Sequence, residues 1–406
     1  MTGENRPLRV ALIAGEPSGD ALGAGLMRAL RQETGDAVVF SGVGGAEMAR
    51  QGLKSLFPIG DLAVMGLVEV LPRIRLLRRR IRETARALLT DQPDIVVTID
   101  SPGFTRRVAR LLTGRSFPLM HYVAPTVWAW RPGRARRLAG LYDHLMVVLP
   151  FEPPYFEAVG LPTTFVGHPA VETLAAARRS EAEASEAGRP PFRTRHAIPD
   201  GWPLLALLPG SRQGEVRRLL PVFAGVLDRL RQNGLDVHLV IPTVETVADM
   251  VRQAVRSLPF PATVVDVAEE RYAAMLAADA ALAASGTATL ELGLAGTPTV
   301  LAYRVNPLTA AIVRRLLHTR FAGLVNILCD REVMPEFLQE NCRPETIAPA
   351  LLRLLTDPAA RQVQIDACAA VSAQLGGDGE PGPSIRAARA VLAVAAKRLA
   401  SAAAAP

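Results

Sequence analysis

Lysine is almost missing from this 406-residue chain: Lys54 and Lys397 are the only two, and arginine supplies the other 44 of its 46 basic residues. Against 39 acidic residues the balance is a formal charge of +7. That favours anionic partners, whether phosphates, nucleic acids or acidic lipid head groups, without choosing among them. Cysteine is scarce too. Cys329, Cys342 and Cys368 are scattered and show no CxxC spacing, which argues against a disulfide framework or a thiolate zinc site and suits a reducing compartment. Long apolar runs are also missing. The start, MTGENRPLRVALIAGE, holds a run of strand length rather than a signal-peptide core. The longest weakly charged run, about 273–303, contains Asp279, Glu291 and Pro298 and reads as strand and helix, not as a membrane span. There is no Walker A sequence, no GxSxG elbow, no HExxH and no DxD pair, and the six histidines stand apart. Metal-free chemistry is the expectation.

What the chain does have is alternation. Short apolar runs (LRVALIAG, AVVFSGVGG, DIVVTID, LMHYVAP, HLMVVLP, TTFVGHP) are separated by helix-length segments, the pattern of a parallel sheet covered by helices. Between Glu172 and Pro203 the composition shifts to Ala, Arg, Glu, Gly and Pro, as in an exposed linker. A second series follows: LLALLPGS, DVHLVIP, ATVVDV, AALAASGT and PTVLAYR. The expected fold is α/β, two Rossmann-like doubly wound domains facing across a cleft. The expected bounds are residues 1–171, a linker 172–203, residues 204–343 and a helical tail 344–406.

Four turns carry candidate chemistry. GEPSGDALGAG follows the first strand and opens a helix, where amides and the helix dipole hold anions or sugar hydroxyls; Glu16, Ser18, Gly19 and Asp20 fall there. A capped turn explains the same residues. DIVVTIDSPGF ends a buried strand on Asp100, placed either as a turn aspartate or as a general base for a hydroxyl proton. LLPGSRQGEV and AASGTATLELGLAG both run strand, small-residue turn, helix. Together they suit a nucleotide diphosphate, with Arg212 as a charge-assisted contact, the Ser285, Gly286, Thr287 turn on the phosphates and Glu291 accepting from ribose hydroxyls. His168, in GHP, reads as a structural residue at a strand end. Trp128 and Trp130 stand among arginines, where packing between loops is the plain reading; nothing there matches an RNA-binding signature.

The segment Val64–Arg86 sets apolar residues directly before seven arginines. Pro72 suits a first helical turn, after which Ile74, Leu77, Ile81, Ala85 and Leu88 fall at helical spacing as a core stripe. The preceding Val64–Leu71, with Arg75, Arg78, Arg79 and Arg82 off the stripe, leaves three readings open: a buried loop beside a solvated helix face, a nucleic-acid surface, or a patch that meets an anionic lipid surface.

In order along the chain, AGEPSGDALGAG, VWAWR, LPFE, GHP, LLPGSR, ASGTATLE and LVNILCDRE resemble the lipid-A-disaccharide synthase family, over about Arg9 to Cys342. The resemblance implies a GT-B glycosyltransferase that inverts configuration without a bound metal or other cofactor. It implies UDP-2,3-diacylglucosamine as donor and 2,3-diacylglucosamine 1-phosphate as acceptor, at the cytoplasmic face of an inner membrane with anionic lipids. By motif, Asp100 resembles the family's essential aspartate, Arg212 the arginine of its PGSR turn, and Ser285–Thr287, Glu291 and Asn326 fall on segments expected to hold UDP. Pro17 and Pro132 depart from the family pattern, and beyond about Arg343 the match is loose. No nucleic-acid partner is expected, and a homo-oligomer is allowed. A nicotinamide oxidoreductase would need a dinucleotide fingerprint that neither Gly-rich turn supplies. Another GT-B enzyme on a UDP-sugar and a non-catalytic membrane adaptor remain as alternatives.

Overall fold

The computed structural model describes residues 6–62, 67–129, 133–188, 190–306, 319–377, 379 and 381–403; for 67–73, 268, 269 and 401–403 it describes the backbone alone. Two compact units make up the chain, Met1–Pro169 with Gly379–Pro406, and Ala170–Asp378. The strands of the first are β1 (Leu8–Ala14), β2 (Val38–Val43), β3 (Ile95–Ile99), β4 (Leu119–Tyr122), β5 (His144–Val147) and β6 (Thr163–Phe165), all parallel, in the order β2-β1-β3-β4-β5-β6. Those of the second are β7 (Leu204–Leu208), β8 (His238–Pro242), β9 (Ala262–Val265), β10 (Ala280–Ala284), β11 (Thr299–Tyr303) and β12 (Glu336–Leu338), also parallel, in the order β12-β11-β10-β7-β8-β9.

Helices cover both faces, so the central strands are buried throughout and read as unbroken apolar runs: IVVTI in β3, LLALL in β7, AALAA in β10. The helix Pro17–Thr34 has proline in its first turn and ends on Gly35 in the left-handed region, at φ +58°.

Chain order reverses beside β1 in one sheet, where β2 and β3 flank it, and beside β7 in the other, flanked by β8 and β10. Ligands of open α/β sheets bind outside the carboxyl ends of the strands at such switch points. The four candidate turns follow β1, β3, β7 and β10.

Three differences from the sequence reading have physical causes. Helix Ala170–Glu186 is no linker: Val171 and Leu174 are buried, and Arg178 donates to the Leu294 carbonyl at 2.8 Å, so it packs in the second unit. The tail divides. Helices Pro344–Thr356 and Pro358–Gln374 stay with the second unit, whereas Pro383–Ala403 packs on Pro17–Thr34, burying Ala387, Ala388, Val391 and Ala395 and pairing Arg389 with Glu33. Finally, the second long helix of the first unit runs Leu67–Asp91, so Pro72 lies inside it rather than in its first turn. Its stripe behaves as expected, with Ile81, Ala85 and Leu88 in the core and Leu77 against it, while Arg75, Arg78, Arg79 and Arg82 are exposed. Val64 and Gly66 lie outside the described residues, as do the side chains of Leu67–Leu71. No helix among the described residues is long and apolar enough to cross a membrane.

Candidate active site

At the carboxyl end of β3 the chain leaves the sheet through two consecutive left-handed residues, Asp100 at φ +44° and Ser101 at φ +43°. Val123, just after the neighbouring β4, is also left-handed, at φ +73°, a conformation that a β-branched residue rarely adopts. Strain of this kind persists only where the surroundings over-determine it, and it gathers at functional sites. Here the Asp100 N–H donates to the Tyr122 carbonyl at 2.9 Å, and the Thr105 hydroxyl donates to the carbonyls of Asp100 at 2.8 Å and Ser101 at 3.0 Å. Gly15, ending β1, makes the close approach possible, since a Cβ there would lie 2.4 Å from the Ser101 Oγ. The Asp100 carboxylate itself is half-buried, and burial raises its pKa against a weaker opposing bond from the Ser101 amide. A more basic carboxylate at a strand end is what proton abstraction from a hydroxyl needs.

The β1 turn divides. Glu16 and Ser18 are exposed at the start of helix Pro17–Thr34, Glu16 at its N-cap position without a side-chain capping bond, and Gly19 is buried. Asp20 corrects the expectation of a ligand contact. It is 5% exposed, and its oxygens accept the amides of Gly45 at 2.7 Å, Glu47 at 2.9 Å and Met48 at 3.1 Å. It therefore caps the helix Ala46–Arg50 from another element.

In the second unit the turns after β7 and β10 line one cavity of about 490 Å³. That is within the range of small-molecule sites, roughly 300–1,000 Å³. Gly210, at φ +116°, lets the first turn fold against Glu215, whose carboxylate accepts from the Arg212 Nη1 at 2.9 Å. The Arg212 side chain is 81% exposed and lines the cavity. Opposite it the Ser285, Gly286, Thr287 turn presents the start of helix Thr287–Ala295, with the Ser285 hydroxyl donating to the Ala322 carbonyl at 3.3 Å. Glu291 lines the wall and accepts from the Tyr272 hydroxyl at 3.3 Å. Burial raises its pKa, opposed by Arg271, whose Nη2 lies 3.5 Å away.

Arg271 is a site residue that sequence reasoning missed. It lines the cavity, and its Nε is buried without a hydrogen-bond partner. Asn326 is the second correction. Its fully buried amide donates to the Met334 carbonyl and to Glu336, both at 2.7 Å, and accepts from the amides of Val333 and Met334, both at 2.8 Å. It does not line the cavity, and its side-chain amide is fully engaged. Its partner Glu336 also accepts from the amides of Ala322 and Gly323, so the pair orders the loop on which Ser285 rests.

Three more motif residues are placed in the first unit. Trp128 is buried, meets Phe151 edge-on at 5.1 Å and donates to Glu152 at 3.1 Å, which settles it as packing between loops; Trp130 lies outside the described residues. Glu152 also accepts from the Leu149 amide at 3.0 Å, and burial lifts its pKa to about 7. His168 is held neutral by burial, its pKa lowered to about 4.

Comparison with known proteins agrees with this layout. Among solved structures, UDP-GlcNAc 2-epimerase from Neisseria meningitidis bound to UDP-GlcNAc superposes with a TM-score of 0.64 at 12% identity, covering 91% of this chain and 99% of its own. MurG from Acinetobacter baumannii superposes with a TM-score of 0.55 at 14% identity, covering 95% and 100%. At those identities the likeness is one of fold. The lipid-A-disaccharide synthase of Rhodospirillum centenum is 52% identical over 396 residues, 97% of this chain and 96% of that protein. That of Paramagnetospirillum magneticum is 48% identical over 387 residues, 94% and 96%. With the family model described as lipid-A-disaccharide synthetase matching residues 10–378, this GT-B chain belongs to the lipid-A-disaccharide synthetase family.

Proposed function

We propose that this chain transfers 2,3-diacylglucosamine, with inversion, from UDP-2,3-diacylglucosamine to 2,3-diacylglucosamine 1-phosphate, releasing lipid A disaccharide 1-phosphate and UDP. Family membership over residues 10–378 carries the reading. The acceptor's primary hydroxyl attacks the anomeric carbon, the bond from that carbon to the diphosphate oxygen breaks, and the hydroxyl proton passes to Asp100. The raised pKa of the Asp100 carboxyl supports this role.

The departing diphosphate carries the developing charge. The cavity of the second unit supplies what would receive it: amides at the start of helix Thr287–Ala295, and the guanidiniums of Arg212 and Arg271. No DxD pair exists to bring a divalent ion, so in this mechanism the arginines take that task. Glu291, beside Tyr272, is placed to accept from the ribose hydroxyls. Asp20 and Asn326 act as positioning residues through the loops they hold.

Both substrates are acylated and anionic, and the chain meets them at the cytoplasmic face of the inner membrane through the apolar Val64–Leu71 run and the exposed arginines beyond it. Incubation of the purified chain with both substrates, followed by mass spectrometry, tests the reading. Disaccharide 1-phosphate and UDP in equal amounts are expected; no disaccharide from any diacylated acceptor would overturn it.

A further inference from the structure

A second cavity, of about 140 Å³, lies in the first unit beside the Asp100 turn. Thr105, Arg106, His121, Arg134, Arg137 and Tyr142 are among its lining residues, and among the described residues no carboxylate lines it. One of its lining residues is tied to the Asp100 turn, because the Thr105 hydroxyl donates to the Asp100 backbone carbonyl. Tyr142 is 3% exposed and stacks on His121 at 4.9 Å between centroids. Its hydroxyl makes no well-formed hydrogen bond among the described residues, only loose contacts with the Thr98 and Thr105 side chains. Arg106 likewise carries a buried Nε without a partner. Buried donors of this kind are costly to leave unmet, and each calls for an explanation. Burial keeps the tyrosine a phenol rather than a phenolate and holds His121, bonded through Nδ1 to Thr98 at 2.8 Å, as a neutral imidazole.

The unmet groups are donors and the charges are guanidiniums. A phosphate group suits such a lining, since planar guanidiniums match its oxygens. We propose that this cavity is the subsite for the 1-phosphate of the acceptor, seated by Arg106, Arg134, Arg137 and the Tyr142 hydroxyl. The assignment rests on the acceptor named above. By holding that phosphate beside the Asp100 turn, it sets which end of the acceptor faces the base.

The test uses the full chain and two acceptors, 2,3-diacylglucosamine with and without its 1-phosphate, and reads the ratio of kcat/KM between them. Wild type favours the phosphorylated acceptor. Arg106→Ala and Arg137→Ala each lower that ratio, by roughly ten- to a hundredfold for a lost charge-assisted contact. Tyr142→Phe also lowers it, and because the change deletes only a hydroxyl without a well-formed bond, its melting temperature holds or rises. A purely structural role would not give that pairing. A ratio unchanged in all three variants overturns the subsite.

Inorganic phosphate supplies an arm independent of turnover: it should raise the melting temperature of wild type and do less for the double variant Arg106→Ala, Arg137→Ala. Equal stabilisation overturns the subsite. If wild type makes no disaccharide from either acceptor, the proposed function falls and the phosphate arm still decides the subsite. Sedimentation with anionic vesicles separates the remaining source of phosphate. Vesicle binding lost with the acceptor ratio intact would assign these arginines to membrane head groups and overturn the proposal.

Discussion

Replacing Glu152 by glutamine should stabilise this protein at high pH and leave it nearly unchanged at low pH. The carboxyl is 1% exposed, and the effect of its burial is opposed by the Trp128 indole, the Leu149 amide and the Val148 amide. Burial outweighs them and lifts its pKa from 4.5 to about 7. The sign follows from the raised value. Below 4.5 both folded and unfolded chains carry a protonated Glu152; between 4.5 and about 7 the unfolded chain ionises while the fold keeps its proton, so stability falls as pH rises. At about 1.36 kcal/mol per unit, a shift of about 2.5 units removes about 3 kcal/mol by pH 8. Glutamine mimics the protonated side chain and escapes that loss. The histidines His121 and His168, both lowered to about 4 by burial, lose stability in the opposite direction, as pH falls below the unfolded value, but do so equally in both proteins. The stability difference between Glu152→Gln and wild type should therefore widen by about 3 kcal/mol from pH 4 to pH 8. For a unit of this size that corresponds to roughly 6–12 °C in melting temperature. Calorimetric unfolding at matched pH values measures it. A difference that stays flat, or widens the other way, would mean that the fold holds Glu152 ionised and that the burial argument fails.

Asp100→Asn should fold normally, because asparagine tolerates φ near +44°, yet lose turnover by about a hundred- to ten-thousandfold in a steady-state assay. Arg212→Ala and Arg271→Ala should each weaken UDP by about 1.5–3 kcal/mol in isothermal calorimetry, and unchanged affinity in both would move the diphosphate elsewhere. Asp20→Ala strands three amides and should cost the first unit roughly 2–4 kcal/mol in thermal unfolding with UDP affinity intact; wild-type stability with lost turnover would restore Asp20 as a substrate contact. Val68→Glu with Leu71→Glu should release the chain from anionic vesicles without lowering its melting temperature, whereas unfolding would make the segment core.

Strands buried on both faces must be apolar along their whole length, so LLALL and IVVTI announce a parallel sheet before any contact is known. Asp100 and the Ser285 turn were legible for the same reason: each directly follows such a run. Whether a polar side chain stays available is a different matter, since that depends on amides distant in sequence. The amides that claim Asp20 lie 25 to 28 residues away, and nothing in GEPSGD names them. Asn326 is claimed by a loop it helps to build. Arg271 carries no local mark among 44 arginines, and only the packing of Tyr272 and Glu291 around it sets it apart. Helix Pro383–Ala403 shows its apolar face in sequence but not its partner, which precedes it by some 350 residues, as the Arg389 to Glu33 bond shows. Pro72 misled because a first-turn preference is weaker than a helix that continues through it.

The Asp100 carboxylate and the carboxylates of the second unit's cavity differ in what acts on them, and the proposed chemistry explains why they should. A general base gains from burial that raises its pKa, and a guanidinium in contact would undo the gain by favouring the carboxylate. At Asp100 burial dominates, and the single opposing influence is a backbone amide. A leaving diphosphate needs the reverse, fixed positive charge and amide dipoles with no unopposed anion nearby. At the β7 and β10 turns each carboxylate is already partnered, Glu215 by Arg212 and Glu291 by Arg271 and Tyr272. Those pairings hold the guanidiniums at the cavity without neutralising the site, because Arg212 keeps most of its surface open and Arg271 keeps an unmet Nε. In the proposed chemistry the base is therefore a carboxylate whose pKa is set by burial rather than by a guanidinium, and the leaving group is met by a cavity whose guanidiniums stay available.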